Sequence, residues 1–235
     1  MRGWPHAVVF DLDGTLIDSA PDLHHAAVRL MTDRGLAAPS LEAVRSMIGE
    51  GVGRLVERLF AAQDVPLLPQ DLDRHSTAFR HLYLARVCVD TTLLPGADRT
   101  LAELGARGVP LGLCTNKPLQ HTRAILTTLG IADRFAAVIG GDSLAVRKPD
   151  PAPLLAALDA LEAAPADAVF VGDSAIDART ARAAGTALVL VDGGYAHEPL
   201  AALAPDALIP TLEALTAALE GLQPADRGGR EVGGW

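Results

Sequence analysis

The sequence predicts an α/β fold: a parallel sheet with helices on both faces, interrupted by an inserted all-helical segment. Three observations lead there. Short continuous apolar runs recur along the chain, each of strand length and rich in Val, Leu and Ala. From residue 95 onward these runs alternate with helical patterns, the signature of a parallel sheet with crossover helices. Between residues 18 and 93 the alternation stops and only helical patterns remain.

The elements follow in order. Residues 7–12 (AVVFDL) form a buried strand that ends in a carboxylate. Helices are expected over 21–34, 41–47, 51–62 and 70–89. The chain crosses into and out of this insert near Ile17 and near Leu94-Pro95-Gly96, two adjacent linkers that make a hinge. Then come a helix (98–107), a strand (110–115, PLGLCT), a helix (119–129) and a strand (136–139, AAVI). A helix (151–162), a strand (168–172, AVFVG), a helix (175–184), strands at 187–191 (ALVLV) and 207–209 (ALI), and a helix (212–219) complete the pattern. The domain organisation expected is a core made of 1–17 and 94–222, with 18–93 as a helical unit inserted into it. Residues 223–235 (QPADRGGREVGGW) are dominated by Gly, Pro and charge and are expected to be disordered.

Composition supports a packed core and removes several function classes. The chain has 235 residues, 49% apolar and 21% charged, so it carries enough apolar surface to bury; aromatics are only 4%, so the core is aliphatic. The net charge of −9 argues against nucleic acid and against an anionic membrane surface as partners. A small anionic substrate remains compatible, because a local cation cluster or metal reverses the sign inside a cleft. Cys88 and Cys114 have no metal-ligand spacing and read as small apolar residues. There is no leader-like amino terminus and no apolar run of membrane-spanning length, so the expected location is the cytoplasm.

Ligands of parallel α/β sheets bind beyond the carboxyl ends of the strands. Asp11 and Asp13 follow the first strand, two apart, so that in an extended chain their side chains share a face. Like charges that close repel unless a cation or proton is shared. Asp173, after another strand, supplies a third oxygen, and an oxygen-only set with room for water suits Mg²⁺. Thr115-Asn116-Lys117-Pro118 follows the 110–115 strand and opens a helix, with Pro118 expected as its first residue. Lys117 either joins that anion site or points to water. Lys148 precedes another helix start, where Asp150 is the expected N-cap; a cation there opposes the helix dipole unless an anion binds. Asp177, one turn after Asp173, either supports the site or is an ordinary first-turn acid. Gly49-Glu50-Gly51-Val52-Gly53 lacks the spacing and the preceding strand of a dinucleotide loop, and its glycines permit a tight turn facing the substrate. His24 and His25 read as helix-surface residues, and His121 as a helix residue near the Lys117 segment.

Together, Asp11-Leu12-Asp13-Gly14-Thr15-Leu16, Thr115-Asn116, Lys148-Pro149 and Gly172-Asp173-Ser174 through Asp177 resemble the haloacid dehalogenase superfamily, in its order and at fitting strand ends. The resemblance covers the chain to about residue 180. It implies a Rossmann-like sheet with a four-helix cap of C1 type. Asp11 then looks like the nucleophile that takes the phosphoryl group, and Asp13 like the general acid and base. Thr115 and Lys148 look like the groups that hold the phosphoryl oxygens, and Asn116 joins them at the substrate. Asp11, the backbone carbonyl of Asp13, and Asp173 look like the Mg²⁺ ligands, with Asp177 supporting. Dehalogenases lack the second Asp and need no metal, so Asp13 and Asp173 favour phosphate chemistry.

Two further segments resemble those of the phosphoglycolate phosphatases within this superfamily: Thr115-Asn116-Lys117-Pro118, and Ile48-Gly49-Glu50-Gly51 followed by Arg54-Leu55-Val56. They imply hydrolysis of 2-phosphoglycolate, with Gly49, Glu50 and Arg54 reading the far end of the substrate. The alternatives are a phosphatase for a nucleotide, a sugar phosphate or pyrophosphate, and a phospho-acceptor signalling domain. The second is disfavoured by Asp13 and by the large insert. The expected assembly is a monomer or homodimer.

Overall fold

The computed structural model describes residues 4–196 and 198–222; the expected disorder of 223–235 lies outside the described residues. Six strands form one parallel sheet: β1 (Ala7–Phe10), β4 (Leu111–Cys114), β5 (Ala137–Ile139), β6 (Ala168–Gly172), β7 (Ala187–Val191) and β8 (Ala207–Ile209), in the order β5-β4-β1-β6-β7-β8. A second, two-stranded antiparallel sheet pairs β2 (Ile17–Asp18) with β3 (Thr92–Leu93), Ile17 opposite Leu93.

β1 is central and wholly buried, which explains its unbroken apolar run. Val8 aligns with Leu111 on one side and Val169 on the other. Alternate residues feed two cores, with Val8 and Phe10 packing on one face of the sheet and Ala7 and Val9 on the other. Fully burying each Val or Phe is worth about 1.5–3 kcal/mol, which anchors the strand that carries Asp11 at its end. The crossover helices are α5 (Ala97–Ala106), α6 (Leu119–Thr128), α7 (Ala152–Ala160) and α8 (Ala175–Ala184), followed by α9 (Leu215–Gly221).

The chain leaves the sheet after β1 and returns at β3. Between them run α1 (Ala20–Thr32), α2 (Leu41–Arg45), α3 (Val52–Ala61) and α4 (Pro69–Leu84). α1 packs on α2 and α4, and α3 on α4. Leu30 of α1, Leu59 of α3, and Phe79 and Tyr83 of α4 are buried there. The β2–β3 pair joins the two crossings into one ribbon, a pairing too short to announce itself by periodicity.

Several boundaries differ from expectation. α4 stops at Leu84 rather than near 89, because the buried Asp22 carboxylate accepts the N–H groups of Asp90 and Thr91 and draws the chain out of helix. Cys88 adopts φ +62 in that bend. Pro118 and Pro151 stand at the N-cap rather than the first helical position. Asp150, one residue earlier than the cap, still accepts Ala152 N–H at 2.9 Å. The last helix is entered through a 3₁₀ turn over Leu212–Ala214. No helix among the described residues is long and apolar enough to cross a membrane.

Candidate active site

Strand order explains why distant residues meet. β4, β1 and β6 are neighbours, so the residues just past their ends, Thr115, Asp11 and Asp173, emerge side by side. Asp11 N–H bonds the Val171 carbonyl at 2.9 Å and Thr115 N–H the Ile139 carbonyl at 3.0 Å, which extends the ladder one residue past each strand. All three side chains are buried.

Lys148 reaches this cluster from the loop after β5. Its ammonium lies 2.8 Å from Asp11 Oδ1 and 2.7 Å from Asp177 Oδ1. Burial works to lower the Lys148 pKa, but Asp11 and Asp177 outweigh it and hold the group charged. Asp177 is fixed on its other side, where Oδ2 accepts from Ser174 Oγ at 2.6 Å and from Asp173 N–H at 3.3 Å. Ser174 in turn caps α8.

Asp11, Asp173 and Asp177 each offer an oxygen within 4.8 Å of the others. Burial pushes the Asp11 pKa up to about 6 despite Lys148, and burial with the charges of Asp177 and Asp11 raises Asp173 well above the usual carboxylate range. Three buried carboxylates against the single Lys148 ammonium leave the cluster short of positive charge. An all-oxygen donor set with that deficit fits a divalent cation such as Mg²⁺. Asp173 is aimed by Thr15 Oγ1 at 3.2 Å and by Tyr195 N–H at 2.6 Å. Gly14, at φ +88, leaves no room for a Cβ beside Asp173, so glycine is required there by both backbone and space.

Asp13 turns the other way. Its Oδ1 and Oδ2 accept from Lys117 Nζ at 2.8 and 3.0 Å, and Oδ1 also takes the Ser19 hydroxyl at 2.5 Å. Its carboxylate is therefore outside the three-carboxylate cluster. Lys117 does not point to water: its side chain is 3% exposed and its ammonium lies 4.7 Å from the centroid of the Tyr83 ring. Burial lowers its pKa, but Asp13 more than restores it.

Two adjoining cavities of about 40 and 150 Å³ share Asp11, Asp13, Ile48 and Gly49. The smaller also takes in Thr115, Asn116 and Lys117; the larger takes in Glu50 and Asp173. Asn116 Nδ2 donates to the Gly49 carbonyl at 3.0 Å and to the Lys148 carbonyl at 3.1 Å, tying the insert to two strand-end loops. Gly49 and Gly51 have φ of +118 and +86, which makes the turn that brings this loop over the strands. Arg54 stands apart. It is half exposed, bonds Glu57 at 2.5 Å, and lines a neighbouring cleft with Lys148 rather than either cavity that holds Asp11 and Asp13. Arg58, paired with Glu50, is the insert arginine in the larger cavity.

Sequence reading missed Ser19, Tyr195 and Tyr83 and left Lys117 open. Tyr195 had a weak signal, since it lies in the loop that follows β7, four residues past its end. Ser19 follows only the two-residue β2, too short to read from sequence, and Tyr83 lies within a helix of the insert.

A central strand ending in a buried carboxylate, clustered acids, a buried lysine and covering helices are the features of a hydrolase built on an α/β core. The chain belongs to the haloacid dehalogenase-like hydrolase family, whose model matches residues 5–185. Among its relatives are phosphoglycolate phosphatases of Rhodospirillum rubrum, 45% identical over 85% of this chain and 84% of that one, and of Thiobacillus denitrificans, 38% identical over 90% and 96%. The crystal structure of a predicted phosphoglycolate phosphatase from Haemophilus somnus superposes with a TM-score of 0.83 at 32% identity, covering 90% of this chain and 96% of that one.

Proposed function

We propose that this protein is a Mg²⁺-dependent phosphatase that hydrolyses 2-phosphoglycolate to glycolate and phosphate through an aspartyl-phosphate intermediate. The observation that carries the reading is the convergence of Asp11, Asp173, Asp177 and Lys148 at adjacent strand ends, with Asp13 held apart on Lys117. The 38–45% identity to phosphoglycolate phosphatases supports the substrate.

Asp11 attacks phosphorus, forming a carboxylate–phosphorus bond as the bond to the leaving oxygen breaks. Asp13 gives that oxygen its proton, then takes one from the water that discharges Asp11, a role worth about 10²–10⁴-fold. Thr115 and Lys148 hold the phosphoryl oxygens; Asp177 keeps the Lys148 ammonium in place. Asp11, the Asp13 carbonyl and Asp173 would hold the metal. When bound, Mg²⁺ neutralises charge on the transferring group. Residues 18–93 act as a cap on the core of 1–17 and 94–222, with the β2–β3 ribbon as its hinge, and close to exclude water. Gly49 and Glu50 face the substrate from the cap side; Arg54, held by Glu57 outside both cavities, takes no part. The compartment we assign is the cytoplasm, in keeping with Cys88 and Cys114 as free thiols.

Phosphate release from a panel of small phosphomonoesters and pyrophosphate, with Mg²⁺ and with EDTA, tests this. The expected result is a Mg²⁺-dependent kcat/KM for 2-phosphoglycolate well above the rest. Equal rates on nucleotides or sugar phosphates would remove the substrate and keep the chemistry; activity unchanged by EDTA would remove the metal.

A further inference from the structure

Lys117 has no task in the steps above, yet it is a lysine buried at the site. The smaller cavity beyond Asp13 is walled by Leu23, Ile48, Val52 and Leu55 of the insert, and Lys117 is the one cation among the described residues that line it. Lys148, the other buried lysine, is taken by Asp11 and Asp177. A charge held this deep against apolar walls needs a counter-charge close by. Without substrate, Asp13 supplies it at 2.8 and 3.0 Å.

A phosphate ester with its phosphoryl group at Asp11 lays its leaving half along Asp13 and into this cavity. The space is narrow, about 40 Å³, which suits a short leaving group. An uncharged leaving group offers the ammonium nothing. One that carries a carboxylate a single methylene from the bridging oxygen brings an anion toward Lys117, the one cation that lines this cavity among the described residues, whose ammonium already touches Asp13.

We infer that Lys117 is the specificity-determining residue of this site, shared between Asp13 and the carboxylate of the leaving group, so that it selects short phosphorylated hydroxy acids over neutral phosphate esters. The inference rests on the 2-phosphoglycolate reading. Tyr83 fixes the lysine from the cap side, its ring beneath the ammonium at 4.7 Å from the centroid.

The test compares kcat/KM for 2-phosphoglycolate with that for its neutral amide analogue, in the wild type, Lys117→Met and Lys117→Arg, all with Mg²⁺. Lys117→Met keeps length and apolar bulk while removing charge. Its preference for the carboxylate substrate is expected to fall about 100-fold, chiefly through KM. Lys117→Arg is expected to retain most of the preference, and it serves alone if the Met variant does not fold, since losing the preference with the charge kept would overturn the inference. Equal losses on both substrates in Lys117→Met would also overturn it and leave Lys117 as a partner of Asp13 only. A wild type without preference for 2-phosphoglycolate would remove the substrate reading, and this inference with it; a wild-type preference that survives Lys117→Met would remove the inference alone.

Discussion

The Lys148 ammonium stands 2.7 Å from Asp177 Oδ1, and both side chains are almost wholly enclosed. Asp177 is thus more than a first-turn acid: it secures the cation that faces Asp11. Breaking a buried pair leaves an uncompensated charge and costs about 3–5 kcal/mol. Asp177→Ala is expected to lose stability on that scale, softened by the Asp11 partner that Lys148 retains. Urea unfolding of the two proteins at neutral pH measures it; a loss below about 1 kcal/mol would mean that Asp11 alone satisfies the lysine. Turnover is expected to fall together with stability.

Asp11→Asn should separate activity from stability. Removing the nucleophilic carboxylate is expected to lower phosphate release by more than about 10³-fold. The same change relieves a crowded, buried set of carboxylates in which the Asp11 pKa is pushed up to about 6. In EDTA the variant is therefore expected to melt above the wild type, and Mg²⁺ to raise its Tm less. A variant that melts lower in EDTA would show that the Asp11–Lys148 pair outweighs the repulsion.

Tyr195 links the carboxylate cluster to the start of the helical insert. Its backbone N–H holds Asp173 at 2.6 Å, while its hydroxyl accepts from Ser19 N–H at 2.9 Å and Ala20 N–H at 3.1 Å and donates to Asp18 at 2.6 Å. Tyr195→Phe leaves the bond to Asp173 and strips Ser19 N–H of its acceptor, while Ala20 N–H keeps Asp18 Oδ1 at 3.1 Å. Orphaned buried groups cost about 1–3 kcal/mol each. The expected outcome is a lower Tm with Mg²⁺ affinity retained, checked by thermal melts with Mg²⁺ titration. A weakened metal response with unchanged Tm would place the hydroxyl's influence on Asp173 instead.

Much of this could be read from residue order. Carboxylates directly after buried apolar runs flagged Asp11 and Asp173, and adjacency of β4, β1 and β6 delivers them to one edge. Two-residue strands such as β2 and β3 carry no periodicity, so the ribbon they form was visible only as two crossings. The fate of Lys117 depended on a partner more than a hundred residues away, and whether a lysine meets water or Asp13 is decided by packing of α4 over it, through Tyr83. Arg54 illustrates the reverse: local sequence placed it in the cap, but Glu57 three residues on captures it at the surface.

His121 sets a pH dependence. It is buried in α6, with Nε2 3.0 Å from the Arg80 carbonyl and its ring stacked on Tyr83 at 5.3 Å between centroids. Burial lowers its pKa below the ordinary 6.5, with the charges of Lys117 and Arg80 acting the same way and only the Arg80 carbonyl and Asp142 opposing. On acidification the unfolded chain therefore takes up a proton before the folded protein does. The stabilisation is complete above about pH 6.5 and is lost as pH falls through that value toward the lower folded pKa. His75, lowered by burial and by Arg34, adds a loss of the same sign. Asp11 and Asp173, with raised pKa values, act in the opposite sense over the same range, so the His121 contribution is read as a difference: urea unfolding from neutral pH down to about pH 5 is expected to show the wild type losing stability relative to His121→Gln. Identical slopes for the two proteins would mean that His121 takes up its proton equally well folded and unfolded, and that its stack on Tyr83 opens without cost.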